Sequence, residues 1–517
     1  MRVDKTKPVR TQSHTLILAC VCLIALAGIH CGEGEDRAHS RGSTVIVASE
    51  GAGDELPVFA HDHLVFLPLV AYEENGELEG RLLRGWEHSP DYREWTFHLR
   101  TDIRWHDGVP VTAHDVKFSM ELMMHPDVLE ASPGYFGSIA VLDDSTITFR
   151  YTLPTNALDD YTVYYPRHLL EGLDPKEAYK WEFWKQPVGN GPYRFVRYLP
   201  QTMMEFEANP NYYRGKPSIQ RVVLKFTGAA GLTELLSGNV DVVMYANPAQ
   251  IPTLAADPRF RVYYWINEGV IRAIYWQHNH PLFRDARVRR ALTLAINRWE
   301  LLGVLNLPED TPIVDGPYTL RQLRLRQLPD PLPYDPARAR ALLDAAGWRD
   351  RNGDGVREQE GREARFTALV STLPQFAQIA VYVQDQLRRV GVRMEVQYGD
   401  NVMILKKTRR GEFEAAFTFF VRELEWFQPY FSKDFPLGYR NAEVLNLIDR
   451  AKVTGAPDVR DHIYRELTEI FREDVPVTLL FPRVEYTFVH RRIRGLSSPW
   501  RGNAVWFMEY LWLEDED

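Results

Sequence analysis

Gly189-Asn190-Gly191-Pro192-Tyr193-Arg194-Phe195 and, downstream of it, Asn209-Pro210-Asn211-Tyr212-Tyr213-Arg214-Gly215-Lys216-Pro217 form the stretch whose reading decides the fold. Gly191-Pro192 punctuates a turn. Tyr193 to Leu199 and Thr202 to Glu207 carry β-formers in partial alternation, and Leu199-Pro200-Gln201 separates them. The pattern predicts a hairpin between two turns.

The chain that carries this hairpin is 517 residues long, a length that corresponds to about two to four domains. Hydrophobic content of 45% and charged content of 25% are those of an ordinary globular protein with a large core. The 13 Trp, 25 Tyr and 25 Phe fit core packing and leave room for an aromatic-lined ligand site. Net charge is −9, with no long basic run, which argues against a nucleic-acid partner. The cluster Arg284 to Arg290 reads as a helix face with mixed partners. Cys20, Cys22 and Cys31 all stand near the N-terminus. The cysteine-free body excludes a disulfide framework and a thiolate metal site.

Arg2, Lys5, Lys7 and Arg10 precede a mostly apolar run from Thr15 to Ile29. That run is shorter than the roughly 20 residues a membrane-spanning helix needs. Residues 1–30 therefore read as an export signal and 31–43 as a flexible tether. Cys31 stands where a bacterial lipoprotein carries its lipid, although His30 precedes it. The expected location is periplasmic or at the cell surface, tethered through Cys31. Simple cleavage and an uncleaved anchor are the alternatives.

Thr44 to Ala48 is an apolar strand running into the acidic loop Glu50 to Glu55, which is either a cleft loop or a solvated one. Trp95 to Arg100 alternates as a half-buried strand does. Asp107-Gly108 is a turn, and Thr112 caps a helix to Met124 with Asp115 three residues on. Ile139–Leu142 and Thr146–Tyr151 form a second hairpin, and Leu235 to Val243 reads as helix, turn and strand. Phe283 to Arg298 is one amphipathic helix, with Val288, Leu292, Ala295 and Ile296 on its apolar face. Beyond it comes β-α-β grammar. Phe366–Val370 is a strand and Gln375–Val390 a helix capped by Gly391; Arg393–Gln397 and Glu414–Phe420 are strands, Val444–Ala451 a helix, and Val477–Phe481 and Val484–Val489 two more strands.

No G-x-S-x-G elbow, phosphate loop or H-E-x-x-H helix is present. Asp350 to Glu358 begins like a calcium loop, but the twelfth position is Gly361, so it reads as a Gly-rich turn. His61-Asp62-His63 and His278-Asn279-His280 pair imidazoles without a recognisable third and fourth ligand, and no metal site is assigned.

These blocks resemble the bacterial extracellular solute-binding proteins of family 5, the oligopeptide- and dipeptide-binding proteins of ABC transporters. The opening stretch is similar to the family's G-x-G-P-Y-x-F…N-P-x-Y-W-x-G-K-P. Residues 103–119 resemble its F-H-D-G-x-P-x-T-A-x-D-V-x-F-S, and 283–298 its F-x-D-x-R-V-R-x-A-L-x-x-A-I-x-R. The resemblance covers about residues 43 to 495. It implies an α/β, two-lobed periplasmic-binding-protein-like fold (type II, large cluster C-like) with a cleft between lobes. Lobe I would be 44–270 plus 484–517, with a β-hairpin-rich subdomain, and lobe II 271–483. It further implies a monomeric binding protein, not an enzyme, that needs no cofactor. Such a protein captures a peptide or similar small solute by hinge closure and delivers it to an ABC permease.

The family's peptide binders pair the ligand amine with an Asp in G-W-x-x-D-Y-x-x-P. Counted from Glu414, Glu423 stands at that Asp and Phe420 at the Trp. The resemblance thus implies a charge-assisted bond from a ligand ammonium to Glu423. Phe420, Trp426 and Tyr430 would be walls, and Arg422 would meet a ligand carboxylate. The other reading has Glu423 and Glu425 as solvated loop charges beside Arg422. Competing functions are a nickel or metal-chelate binder of the same fold, a hydrolase on a two-lobed fold, and a chaperone-like or signalling receptor using the same cleft.

Overall fold

The computed structural model describes residues 43–49, 62–73, 77–125, 128, 136–159, 163–244, 248–421, 437–499 and 502–514. Its backbone is one ten-stranded sheet. In chain order the strands are β1 (Thr44–Ser49), β2 (Tyr193–Leu199), β3 (Met203–Ala208), β4 (Arg221–Phe226), β5 (Val242–Met244), β6 (Phe260–Trp276), β7 (Arg365–Ser371), β8 (Arg393–Gly399), β9 (Ala415–Val421) and β10 (Val477–His490). Their spatial order is β8-β7-β9-β6-β10-β5-β1-β4-β3-β2. β1 runs parallel to β4 and β5, and β7 runs parallel to β8 and β9. A parallel pair needs a crossover, and helix Pro374–Arg388 supplies it between β7 and β8.

β6 and β10 hold the two halves of the sheet together. A 17-residue strand extends roughly 55 Å. The start of β6 pairs with the end of β10, from Phe260 opposite His490 to Asn267 opposite Arg483. The register then slips between Asn267 and Ile271 and again between Ile271 and Ala273, with Pro482 opposite Ile271. A proline cannot donate to the ladder, so an irregularity is where it is tolerated within a sheet. The apolar core divides around this point. One cluster is built from residues between Val45 and Val242 with Val489 to Leu511, and two others draw on residues between Ile266 and Tyr486. The fold is α/β and two-lobed.

Both expected hairpins are present. β2 and β3 pair antiparallel, with Gln201 at φ 54° in the turn. Phe136–Asp143 and Thr146–Tyr151 belong to a separate four-stranded antiparallel sheet with Leu83–His88 and Glu94–Leu99. Helix Ala113–Met123 starts at Thr112, whose backbone N–H and hydroxyl donate to Asp115 Oδ2 at 2.8 and 3.0 Å. The Asp350 carboxylate accepts from the Gly353 and Gly355 N–H groups at 2.7 and 3.0 Å, which makes the glycine-rich segment a turn closed on itself.

Two expectations are corrected, and one element was not foreseen. The helix expected over 283–298 is shorter, Ala286–Leu294, and a second helix, Arg298–Val304, begins where the stripe ends. Asn297 separates the two, because its Oδ1 accepts from the Glu300 N–H at 3.1 Å and starts the second helix. The strands expected at Val477–Phe481 and Val484–Val489 are one strand running through Pro482. Phe260–Trp276 is a strand that no sequence signal had marked; it is buried on both faces in places, which erases alternation.

Candidate functional site

Where β6 and β10 lose register, Trp265, Ile266, Asn267 and Gly269 line a cavity of about 330 Å³. The segment from His63 to Arg81 forms one wall, through Phe66, Leu67, Tyr72 and Glu73. The C-terminal segment adds Asn503, Trp506, Phe507, Glu509 and Tyr510. From the other lobe, Leu320 and Arg324 of helix Leu320–Arg324 close it. Tyr72 and Leu320 also line a second cavity of about 600 Å³. That one continues between Trp86, His88, Tyr92 and Trp95 on one side and Arg321 and Asp461 on the other. Arg324 stacks over the Tyr72 ring at 4.6 Å, where the two spaces meet.

The first wall is held from behind by the stretch that decided the fold. The Asn190 and Gly191 N–H groups both donate to the Val65 carbonyl, at 2.9 and 2.7 Å, and the Leu67 N–H donates to Asn190 Oδ1 at 2.9 Å. A Cβ on Gly191 would lie 2.7 Å from the Val65 carbonyl carbon, so only glycine allows this approach. Asn209 Nδ2 donates to the Gly191 carbonyl at 3.1 Å, tying in the Asn209–Pro217 turn. His106 locks the same loop. Its Nδ1 accepts from the Gly189 N–H at 3.2 Å, so Nε2 carries the proton and donates to the Gly191 carbonyl at 3.1 Å. Burial pulls this imidazole down to about 4 and keeps it neutral.

The C-terminal wall is a turn capped by Asn503, whose Oδ1 accepts from the Val505 and Trp506 N–H groups, both at 3.1 Å. Trp506 stands 5.4 Å from the Trp265 ring and 4.7 Å from His63, an aromatic surface across both walls. Burial, helped by Arg81, lowers the His63 pKa to about 4, so that ring is neutral too. Arg81 is 6% exposed. It pairs with Glu509 and donates to the Tyr510 and Tyr212 hydroxyls at 2.9 and 3.0 Å. Tyr212 donates in turn to Glu509 at 2.6 Å, and burial and Glu509 push its phenol up, keeping it a donor. The arginine's charge is thus offset inside the wall.

The residues expected to bind ligand are distributed differently. Phe420 is fully buried in β9, opposite Ile271 and edge-to-face with Phe471 at 6.3 Å, and is not among the residues lining the cavity. Arg422, Glu423, Trp426 and Tyr430 lie outside the described residues, as do His61, the Glu50–Glu55 loop and Cys31. His278 faces elsewhere; it lies 2.9 Å from the Pro476 carbonyl, with its pKa lowered to about 3 by burial. His280 is 3.9 Å from Glu414. Among the described residues no group of three or more His, Cys, Asp or Glu is arranged to hold a metal, and no helix is long and apolar enough to cross a membrane. Trp265, Asn503, Trp506 and Arg81 had no motif to announce them; the aromatic excess was the sole compositional hint.

A model of the bacterial extracellular solute-binding proteins, family 5 (middle), matches residues 77–439. A Brucella ovis protein named as an ABC transporter peptide-binding protein is 32% identical over 301 residues. That match takes in 56% of each chain, so this chain spans little more than half the length of that relative. The oligopeptide-binding protein AppA of Bacillus subtilis is 24% identical over 412 residues, 74% of each chain. Its solved structure, in complex with a nonapeptide, superposes with a TM-score of 0.68 at 20% identity, over 91% of this chain and 99% of AppA. The substrate-binding protein CtaP of Listeria monocytogenes gives a TM-score of 0.77 at 20% identity, over 92% of this chain and all of CtaP. These structures share the two-lobed fold.

Proposed function

We propose that this chain, which belongs to the bacterial extracellular solute-binding proteins of family 5, is the substrate-binding component of an ABC transporter and captures a peptide or similar small solute. The observation that carries this reading is the cavity at the β6–β10 register break, closed by side chains of both lobes. A ligand that contacts both walls binds the closed arrangement better than an open one, and that difference drives closure. The closed protein then hands its solute to a membrane permease. The peptide-binding names of the relatives support the solute class.

The protein acts as a monomer outside the cytoplasm after removal of residues 1–30, held to the membrane by lipid on Cys31. It performs no chemistry. The lobes divide near residues 270 and 483, where β6 and β10 change partners and register. Glu423, two residues beyond β9, pairs with the ligand amine; Arg422, Trp426 and Tyr430 belong to the same segment. Calorimetry with a defined set of di- to pentapeptides, and in parallel with nickel–histidine, tests the reading. Peptide binding supports it. Binding of the nickel chelate alone assigns the site to metal chelates.

A further inference from the structure

The geometry points to Asn503 and Arg81, both in the lining of the cavity, as donors to a carbonyl or carboxylate oxygen of the ligand; this rests on the peptide-binding reading above. Asn503 lines the cavity and is only 1% exposed. Its orientation is set, because Oδ1 accepts from two backbone N–H groups and the amide nitrogen must lie on the other side. Nδ2, with two N–H donors, finds no partner. Arg81 has the same deficit. Its Nη atoms are committed to Tyr510, Tyr212 and Glu509, while Nε is buried without a partner. Buried donors are costly unless satisfied. Both residues line the same cavity, and an acceptor carried by the ligand is what would satisfy either of them.

The chemistry of that acceptor is limited. Asn503 is neutral and Glu509 offsets Arg81, so the site suits one amide carbonyl or one carboxylate, not a polyanion. Trp265 and Trp506 flank it and favour an apolar or aromatic group next to that oxygen. A volume of about 330 Å³ is at the small end for ligand pockets and suits a short peptide unit.

Asn503→Asp tests the proposal. The aspartate keeps an oxygen for the Val505 and Trp506 N–H groups and replaces the amide donors by a second acceptor. The probes are Ala-Phe and Ala-Ala-Phe, titrated calorimetrically into the full chain. The expected result is binding by the wild type and at least tenfold weaker binding by N503D, with a cooperative thermal transition showing that the variant is folded. If N503D does not fold, Asn503→Ser, which can still cap the turn but has no amide donors, is expected to show the same loss. Equal affinity of wild type and a folded variant for these peptides overturns the proposal and leaves the peptide reading intact. Binding of neither peptide by the wild type overturns both.

Discussion

Gly189 touches the backbone of Val65 so closely that a methyl group on it would stand 1.9 Å from the Val65 carbonyl oxygen. The glycine therefore makes possible the packing of the hairpin loop behind the cavity wall. The stretch that names the family touches no ligand in this reading, but it positions residues that line the cavity, from Phe66 to Tyr72.

Gly189→Ala is expected to destabilise the protein by about 3 kcal/mol, since the obstacle is backbone and not the tip of a flexible side chain. Gly303→Ala is the matched control. It lies in helix Arg298–Val304, its added Cβ meets nothing within 4 Å, and it is expected to be neutral or to gain up to about 1 kcal/mol. Urea unfolding of the two variants checks the contrast. Equal effects would mean that the Gly189–Val65 contact yields without cost.

Stability is expected to fall as pH drops from about 6.5 to about 4. The folded-state pKa values of His106 and His63 are both depressed to about 4, below the ordinary 6.5. Between these values the unfolded chain takes up protons that the folded protein does not, so the unfolded state gains. The stabilisation is complete above pH 6.5 and is lost on the way down. His106→Gln removes one such proton and should flatten the slope by roughly 1.4 kcal/mol per pH unit in that window. Urea midpoints measured at half-unit intervals read it directly; a slope unchanged by the substitution rules out a neutral buried His106.

Glu423→Gln is expected to weaken binding of a free-amine peptide about tenfold, the scale of one lost charge-assisted bond. An N-acetylated version of the same peptide should bind wild type and variant alike. Loss of affinity for both peptides in equal measure would point to a structural role for Glu423 instead.

Cys31→Ser is expected to move the protein from the membrane pellet to the soluble extracytoplasmic fraction. The wild-type mass should exceed that of the chain from residue 31 by a lipid modification. A wild-type mass without that increment would dismiss the tether.

How much of this could be read in advance depended on the range of the interaction. Thr112 and Asp115, three residues apart, marked a helix start that the structure keeps. The hairpin turn at Pro200-Gln201 was equally visible, because turn chemistry acts within four residues. The stripe over 283–298 misled because periodicity sees apolar spacing and not the Asn297 cap that starts a new helix beyond Leu294. β6 escaped because a strand buried on both sides loses its alternation, and β10 looked interrupted because Pro482 is permitted only by the irregular register opposite Ile271.

The sequence by itself determined the family, the α/β two-lobed class and most of the local elements, since propensities, caps and glycine turns are properties of neighbouring residues. Only the tertiary structure decided where a cavity lies and what lines it. Arg81 and Glu509 are 428 residues apart along the chain and form one buried pair. Trp265, Asn503 and Arg324 come from three separate elements and line one space. No periodicity links such positions, because what brings them together is the crossing of two long strands and the burial of the cores on either side.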